Sequence, residues 1–384
     1  MRPSEGRDLR RGCASLLVLV VLAACSGGGE EPSAPRAAES LSAAEPAWRS
    51  ADPDGLELDP KVLEEMAATA RRERSSCLLV AHDGRIAGEW YFDGTDATTT
   101  HQVFSVTKSV TSVLVGIAQD DGVLDVDDAA STWIPSWKGT DSETITVRDL
   151  LANVSGRRWS TDLDYTELVN RGDMTRFAIG LDQATPPGQS WAYNNAAIQT
   201  LEAILESATG TAVDSFAAQR LFGPLGMRNT SMGKDAAGNT MVYSGVTSTC
   251  RDLARFGMLM LDAGQWRREQ VVASSWVEAS TGRASTDLNA AYGYLWWVNR
   301  SGPLVDPLSE LRRSDLDDPG TERGQLVPGA PADLFWAVGL GGQVVQVHRP
   351  TRTVVVRLAE LGPGSSEYGP EDAARLLDGG VRAR

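Results

Sequence analysis

Apolar residues recur along the chain with two periods, and the places where the period changes divide it into parts. Val62, Leu63 and Met66 fall on one side of a helix that Asp59 can cap and Pro60 can open. Residues 77–82 and 85–92 are apolar-rich runs separated by Asp83-Gly84, which predicts a β-hairpin with a two-residue turn. A polar loop then leads to Val106, Val110, Val113, Leu114 and Ile117, spaced i, i+4, i+7, i+8 and i+11. That spacing predicts a helix with one buried stripe, ended by Gly122.

From Leu124 to about Gln270 the period is mostly helical, broken by loops. Thr146 can cap residues 147–153, a helix over 195–207 ends before Gly210, and one over 213–222 ends at Gly223-Pro224. Ser248 can cap a further helix whose inner face holds Leu253, Phe256, Leu259 and Met260. After Trp276 the pattern returns to strands, at 292–298, 334–338, 343–349 and 353–359, the last two joined by a tight hairpin at Pro350-Thr351. Residues 370–377 form a closing helix, and residues 300–333, dense in Asp, Pro, Gly and Arg, read as a long irregular loop.

Strands at both ends with helices between predict an α/β (α+β) fold. Its antiparallel sheet is built from both chain ends and flanked by helices, with an inserted, mostly helical part. Within one domain spanning 51–384, residues 51–123 and 271–384 supply the α/β part and 124–270 the helical part. With 42% hydrophobic residues in 384 the chain can bury a sizeable core. The formal net charge of -15, with no basic stripe, argues against nucleic acid as a partner.

The N-terminus carries Arg2, Arg7, Arg10 and Arg11, then an apolar run too short for a comfortable membrane span, ending in Leu22-Ala23-Ala24-Cys25. That ending resembles the bacterial lipobox. It implies cleavage of residues 1–24 as a signal peptide, lipid attachment at Cys25, and a flexible tether over 25–50 rich in Gly, Pro, Ala and Ser. The expected location is the bacterial cell envelope, with the protein exported and anchored to the membrane through Cys25. Cys77 and Cys250 remain, either to pair in an oxidising compartment or to sit as two buried thiols.

The candidate chemistry begins at Ser105, one helical turn before Lys108, at the start of the helix predicted after residue 104. A serine hydroxyl needs a nearby base, and a lysine can be one where its surroundings keep it partly neutral. Lysine is otherwise rare, found only at 61, 138 and 234. A second S-x-x-K, Ser231 to Lys234, is interrupted by Gly233 and followed by a polar loop, so it is set aside. Tyr193-Asn194-Asn195 follows a rigid loop and precedes a helix, which would hold the phenol near a partner. Gly339-Leu340-Gly341-Gly342-Gln343 lies between two strand runs, where glycines permit close backbone approach and the Leu340 N–H can face an anion. His82, His101 and His348 occur without G-x-S-x-G or H-E-x-x-H, against a Ser-His-Asp triad or a zinc hydrolase. No cofactor or metal is implied.

Taken together, these stretches resemble the serine β-lactamase and penicillin-binding superfamily, from about Leu56 to Leu361. Tyr193-Asn194-Asn195 is similar to the Tyr-x-Asn of the class C branch, and further matches lie at 150–156, 224–227 and 292–294. The resemblance implies a β-lactamase/transpeptidase-like fold and an acyl-enzyme mechanism. Ser105 would be the nucleophile, with Lys108 and Tyr193 sharing the proton transfers. Asn195 would bind a substrate amide or tune Lys108, and the N–H groups of Ser105 and Leu340 would form the oxyanion hole. Where β-lactamases carry Lys-Thr-Gly, this chain has Ala337-Val338-Gly339, so the cation that meets an antibiotic's carboxylate is missing. The glycine-rich pattern is closer to 6-aminohexanoate-dimer hydrolases and esterase-like members, in which an aromatic pocket, here Trp159, Tyr165 and Trp336, closes over a linear amide or ester. The expected partner is therefore a small amide, ester or peptide substrate. Alternatives are a β-lactamase or D,D-peptidase, and a non-catalytic envelope module that binds peptidoglycan or peptide.

Overall fold

Six antiparallel strands form the central sheet of the computed structural model, and they come from the two ends of the chain as expected. The structure describes residues 51, 55, 57–305, 322–362 and 368–381. The expected signal peptide and tether, Cys25 included, lie outside the described residues, as do residues 306–321 of the predicted loop. After helix α1 (Pro60–Arg72), capped by Asp59, the hairpin β1 (Cys77–His82) and β2 (Arg85–Tyr91) turns on Asp83 and Gly84, both in the left-handed region. Helix α2 (Val106–Asp120) and helix α3 (Cys250–Leu261) precede the short β3 (Trp297–Val298). Strands β4 (Phe335–Gly339), β5 (Gln343–His348) and β6 (Thr353–Leu358) follow, and α4 (Pro370–Ala374) closes the chain. The sheet order is β2-β1-β6-β5-β4-β3.

The period-two alternation of the strands separates two helix layers. Val345, Val347, Val354 and Val356 share the face on which α3 packs, where Gly257 leaves room for Val354 and Val345. Gln346 and Arg357 point the other way, toward α1 and α4, with Gln346 donating to the Ala373 carbonyl. Gly339 shares the α3-facing side with Ala337 and Phe335, and so meets the start of α2.

Several sequence expectations are modified. Helix α2 has more than one buried stripe: every residue from Val106 to Ala118 is buried, because the helix runs between the sheet and the helical insertion. Its polar side chains are tied to that insertion and to the chain before β3. Thr107 Oγ1 accepts from the Val246 N–H, Ser109 donates to the Leu295 carbonyl, and Thr111 donates to the Val242 carbonyl. Thr249, not Ser248, caps α3, accepting from the Asp252 N–H; Ser248 ends a strand (Val246–Ser248) in a small sheet with His101–Gln102 and Ser231–Met232. Of residues 292–298 only Trp297 and Val298 pair with the sheet, since Leu295 adopts a positive φ and donates to the Leu151 carbonyl instead. The helix predicted over 195–207 breaks at Thr200, whose hydroxyl bonds back to the Ala197 carbonyl. Part of the predicted irregular loop pairs as two short strands, Gly302–Leu304 with Glu322–Gly324.

Cys77 and Cys250 form a disulfide, joining the first residue of β1 to the first of α3 across a sequence separation of 173. A cross-link closing so long a loop contributes about 2–5 kcal/mol, chiefly by restricting the unfolded chain. We therefore expect Cys250→Ser, compared with wild type in urea titrations without reductant, to lower the midpoint. Addition of reductant should shift wild type toward the variant and leave the variant unmoved.

Candidate active site

Ser105 stands at the threshold of α2, in the N-cap position, but its hydroxyl caps nothing in the helix. Phe104 before it has φ +47°, a left-handed conformation that costs a non-glycine residue about 1–3 kcal/mol and tends to persist only where the surroundings enforce it. The released hydroxyl faces Lys108. Lys108 Nζ lies 2.7 Å from Ser105 Oγ and donates to the Tyr243 carbonyl at 3.0 Å. The rings of Tyr193 and Tyr243 lie 4.6 and 5.6 Å from the same nitrogen.

Lys108 is 1% exposed, and burial lowers its pKa to about 7, with the charge of Asp164 acting in the opposite direction. No carboxylate among the described residues pairs with it directly. The contact with Ser105 can therefore run either way. The ammonium donates to Oγ, and the neutral amine accepts the hydroxyl proton.

Tyr193 is brought to this nitrogen by a loop that the stretch around Asn153 holds in place. Asn153, at φ +60°, accepts from the Ala192 N–H with its carbonyl and from the Asn194 N–H with its side chain. The Tyr193 ring stacks on Trp297 at 5.6 Å and meets Tyr292 edge-on at 6.0 Å, which explains the structural use of the 292–294 stretch. Asn194 is the helix cap, accepting from the Ala197 N–H. Asn195 is the first helical residue, buried, and its Oδ1 has no partner among the described residues.

Asp164 is a site-adjacent residue that sequence reasoning missed. It is fully buried and accepts from the Asn195 N–H at 2.5 Å, the Ala196 N–H at 3.2 Å and Trp159 Nε1 at 3.1 Å. Burial raises its carboxyl pKa to about 7, against the lowering effect of those donors and of Lys108. It sits in a wide π-type turn, Leu163–Glu167, whose spacing follows no helical period, among neighbouring acids at 162 and 167. Nothing local in the sequence marks which of the three is buried. Trp159 therefore serves Asp164 and is itself buried; Tyr165 beside it is half-buried.

The β4–β5 connection closes the site from the sheet. A Cβ on Gly339 would stand 2.3 Å from the Val103 carbonyl and 3.2 Å from the Ser105 nitrogen, so the absent side chain is what admits this strand beside the serine. Leu340, the next residue, is 44% exposed. The N–H groups of Ser105 and Leu340 have no protein acceptor among the described residues. Trp336 corrects the expectation of an aromatic pocket wall. Strand alternation turns it to the α1 and α4 side, where it is fully buried and donates to Gln346. The second S-x-x-K is not a site: Ser231 is exposed on a strand, and Lys234 pairs with Asp214 at 3.0 Å. None of the three histidines hydrogen-bonds Ser105; His348 bonds Thr351 and Asp333.

A protein-family model described as Beta-lactamase matches residues 61–379. The chain belongs to the β-lactamase family. Within that family it is similar to the 6-aminohexanoate-dimer hydrolase of Paenarthrobacter ureafaciens, 23% identical over 337 residues, which cover 79% of this chain and 77% of that protein. A Bacteroides dorei structure provisionally assigned as a beta-lactamase superposes with a TM-score of 0.66 at 17% identity, covering 84% of this chain and 98% of that one. A Bacillus anthracis structure provisionally assigned as a 6-aminohexanoate-dimer hydrolase gives a TM-score of 0.65 at 19% identity, covering 86% and 85%. These likenesses establish the β-lactamase and penicillin-binding fold, with its antiparallel sheet and helical insertion.

The electrostatics can be tested without turnover. With four lysines in the chain, the Lys108 side chain is assignable by NMR against Lys108→Ala. Its titration midpoint should fall near pH 7 and move lower in Asp164→Asn, which removes the negative charge that favours the ammonium. A midpoint near the ordinary lysine value would contradict the burial argument.

Proposed function

We propose that this chain is a serine hydrolase that cleaves an amide or ester bond of a small substrate through an acyl-enzyme on Ser105. The observation that carries the reading is the 2.7 Å approach of Ser105 Oγ to a lysine buried without a directly paired carboxylate and lowered to about pKa 7. Neutral Lys108 takes the hydroxyl proton as Oγ attacks the substrate carbonyl carbon. The N–H groups of Ser105 and Leu340 receive the oxyanion. A proton passed through Lys108 and Tyr193 reaches the leaving amine or alkoxide as its bond to carbon breaks. Water then attacks the acyl-enzyme, gives its proton to the same pair, and Ser105 leaves with its hydroxyl restored.

Substrate class follows from what β4 lacks. Ala337 is buried and Val338 half-buried where β-lactamases carry Lys and Thr, so this strand offers no cation to a carboxylate beside the reacting bond. That favours linear amides or esters of the kind named for the Paenarthrobacter relative over β-lactams. The class C-like Tyr193-Asn194-Asn195 arrangement belongs to this reading. So does an exported, lipid-anchored placement in the cell envelope, which is consistent with the Cys77–Cys250 bond.

A fluorophosphonate probe should label wild type and not Ser105→Ala; equal labelling of the two, or none in folded wild type, would refute the nucleophile. Lys108→Ala and Tyr193→Phe should each lower kcat/KM by about 10²–10⁴-fold, with the double variant little worse than the singles. Because the base acts when neutral, kcat/KM should rise with pH through about 7 and level off above it. In a panel of p-nitrophenyl esters, short ω-amino-acid amides, nitrocefin and D-Ala-D-Ala peptides, turnover should be confined to the first two classes. Efficient nitrocefin hydrolysis would reverse the substrate assignment.

A further inference from the structure

The turn that carries Leu340 is held from beneath by a single buried cation. Gly341 and Gly342 have φ +77° and +74°, and a Cβ on Gly342 would stand 2.6 Å from Arg357 Nη1 and 2.6 Å from the Tyr368 carbonyl. Glycine at 342 therefore lets the guanidinium of Arg357, on β6, rise against the turn. Arg357 Nη1 donates to the carbonyls of Gly341 at 2.7 Å and Gly342 at 2.9 Å. Its Nε donates to Ser75 Oγ at 2.7 Å, its Nη2 to the Glu73 carbonyl at 2.6 Å, and Tyr368 lies against it at 5.1 Å. Gln343 Nε2 completes the set by donating to the Leu340 carbonyl at 3.2 Å and the Ala359 carbonyl at 2.9 Å.

Arg357 is fully buried, and none of its acceptors is a carboxylate. Burial lowers its pKa to about 10, which leaves it charged at neutral pH. A buried cation on neutral acceptors is a poor way to gain stability, since apolar residues of similar volume fill such sites at less desolvation cost. It is a good way to fix peptide planes, because the planar fork holds neighbouring carbonyls in one geometry.

We infer that Arg357 is a positioning residue for the reaction: by holding the carbonyls of Gly341 and Gly342 it fixes the peptide planes after Leu340, and with them the aim of the Leu340 N–H beside Ser105. This rests on the reading of Leu340 as an oxyanion donor. Strand β4 holds Leu340 from one side and Arg357, with Gln343, holds it from the other. Freed on one side, the donor would drift by a fraction of an ångström to an ångström from where the tetrahedral oxyanion forms.

The test is turnover of p-nitrophenyl butyrate per active site, with sites counted by exhaustive fluorophosphonate labelling so that a small folded fraction suffices. Arg357→Lys, Arg357→Met and Gly342→Ala are compared with wild type. The last disturbs the turn while leaving the bonds of Arg357 to Ser75 and Glu73 available. We expect kcat per labelled site to fall by about 10²-fold in each, the cost of misplacing a catalytic group by roughly 1 Å, with KM little changed. Fewer labelled sites turning over at the wild-type rate would show a structural role only and overturn the inference. Leu340→Pro, which deletes the N–H itself, separates the two levels. Wild-type turnover there would refute the oxyanion reading. Loss there with unaltered kcat in the Arg357 and Gly342 variants would refute only the positioning role.

Discussion

A lysine sealed from water without a carboxylate against it is the constraint on which the other features depend. Desolvation of an ammonium costs several kcal/mol unless the group is neutralised or given compensating contacts. Around Lys108 the compensation is partial by construction: one backbone carbonyl, one hydroxyl, the faces of two tyrosines, and a carboxyl at Asp164 whose own burial keeps it only partly ionised. Full compensation would leave the lysine charged and useless as a base, whereas none would leave the site too costly to fold. The surroundings are tuned between those limits.

That requirement accounts for features that look unrelated in the sequence. Helix α2 is buried on all sides because its lysine must be, and its threonines and serine are fastened to the Val242–Val246 segment and to Leu295 so that the Tyr243 carbonyl lies at Nζ. The Gln199 side chain binds the Val242 N–H and the Thr240 carbonyl, stiffening the same segment from the helical part. Asp164 in turn anchors the backbone immediately after Tyr193. The site is thus the meeting of an α2 start, one insertion loop, one carbonyl and one sheet turn.

Regular periodicity made most of the sheet and the main helices legible from sequence: the strand runs at 77–82, 334–338, 343–349 and 353–359, the Asp83-Gly84 turn and the Asp59-Pro60 helix start stand where the pattern placed them. Ser105, Lys108 and Tyr193 could be picked out because their residue types are chemically distinctive, and the fold brings them together. What remained hidden has no side-chain period. The Tyr243 carbonyl is backbone, Asp164 lies in a wide turn, and choosing between Asn194 and Asn195 as cap required the loop geometry. Trp336 was misplaced because alternation shows that neighbours face opposite ways without showing which way is inward to the site. The run at 292–298 is apolar enough for a strand, but it is bent by bonds to Leu151 and Ser109 that local pattern cannot reveal.

The sheet order has a consequence for the history of each molecule. Strand β1 pairs with β6, Cys77 opposite Leu358, and the serine at the head of α2 depends on a strand that begins at Phe335. Every pairing in the centre of the sheet other than the first hairpin must wait for the last part of the chain to be made. A ribosome-bound or truncated chain can therefore assemble neither the sheet nor the pocket beside Ser105. The nucleophile and the strand that frames it therefore come together only when the last quarter of the sequence is in place, so the chemistry is the final thing the folding chain acquires.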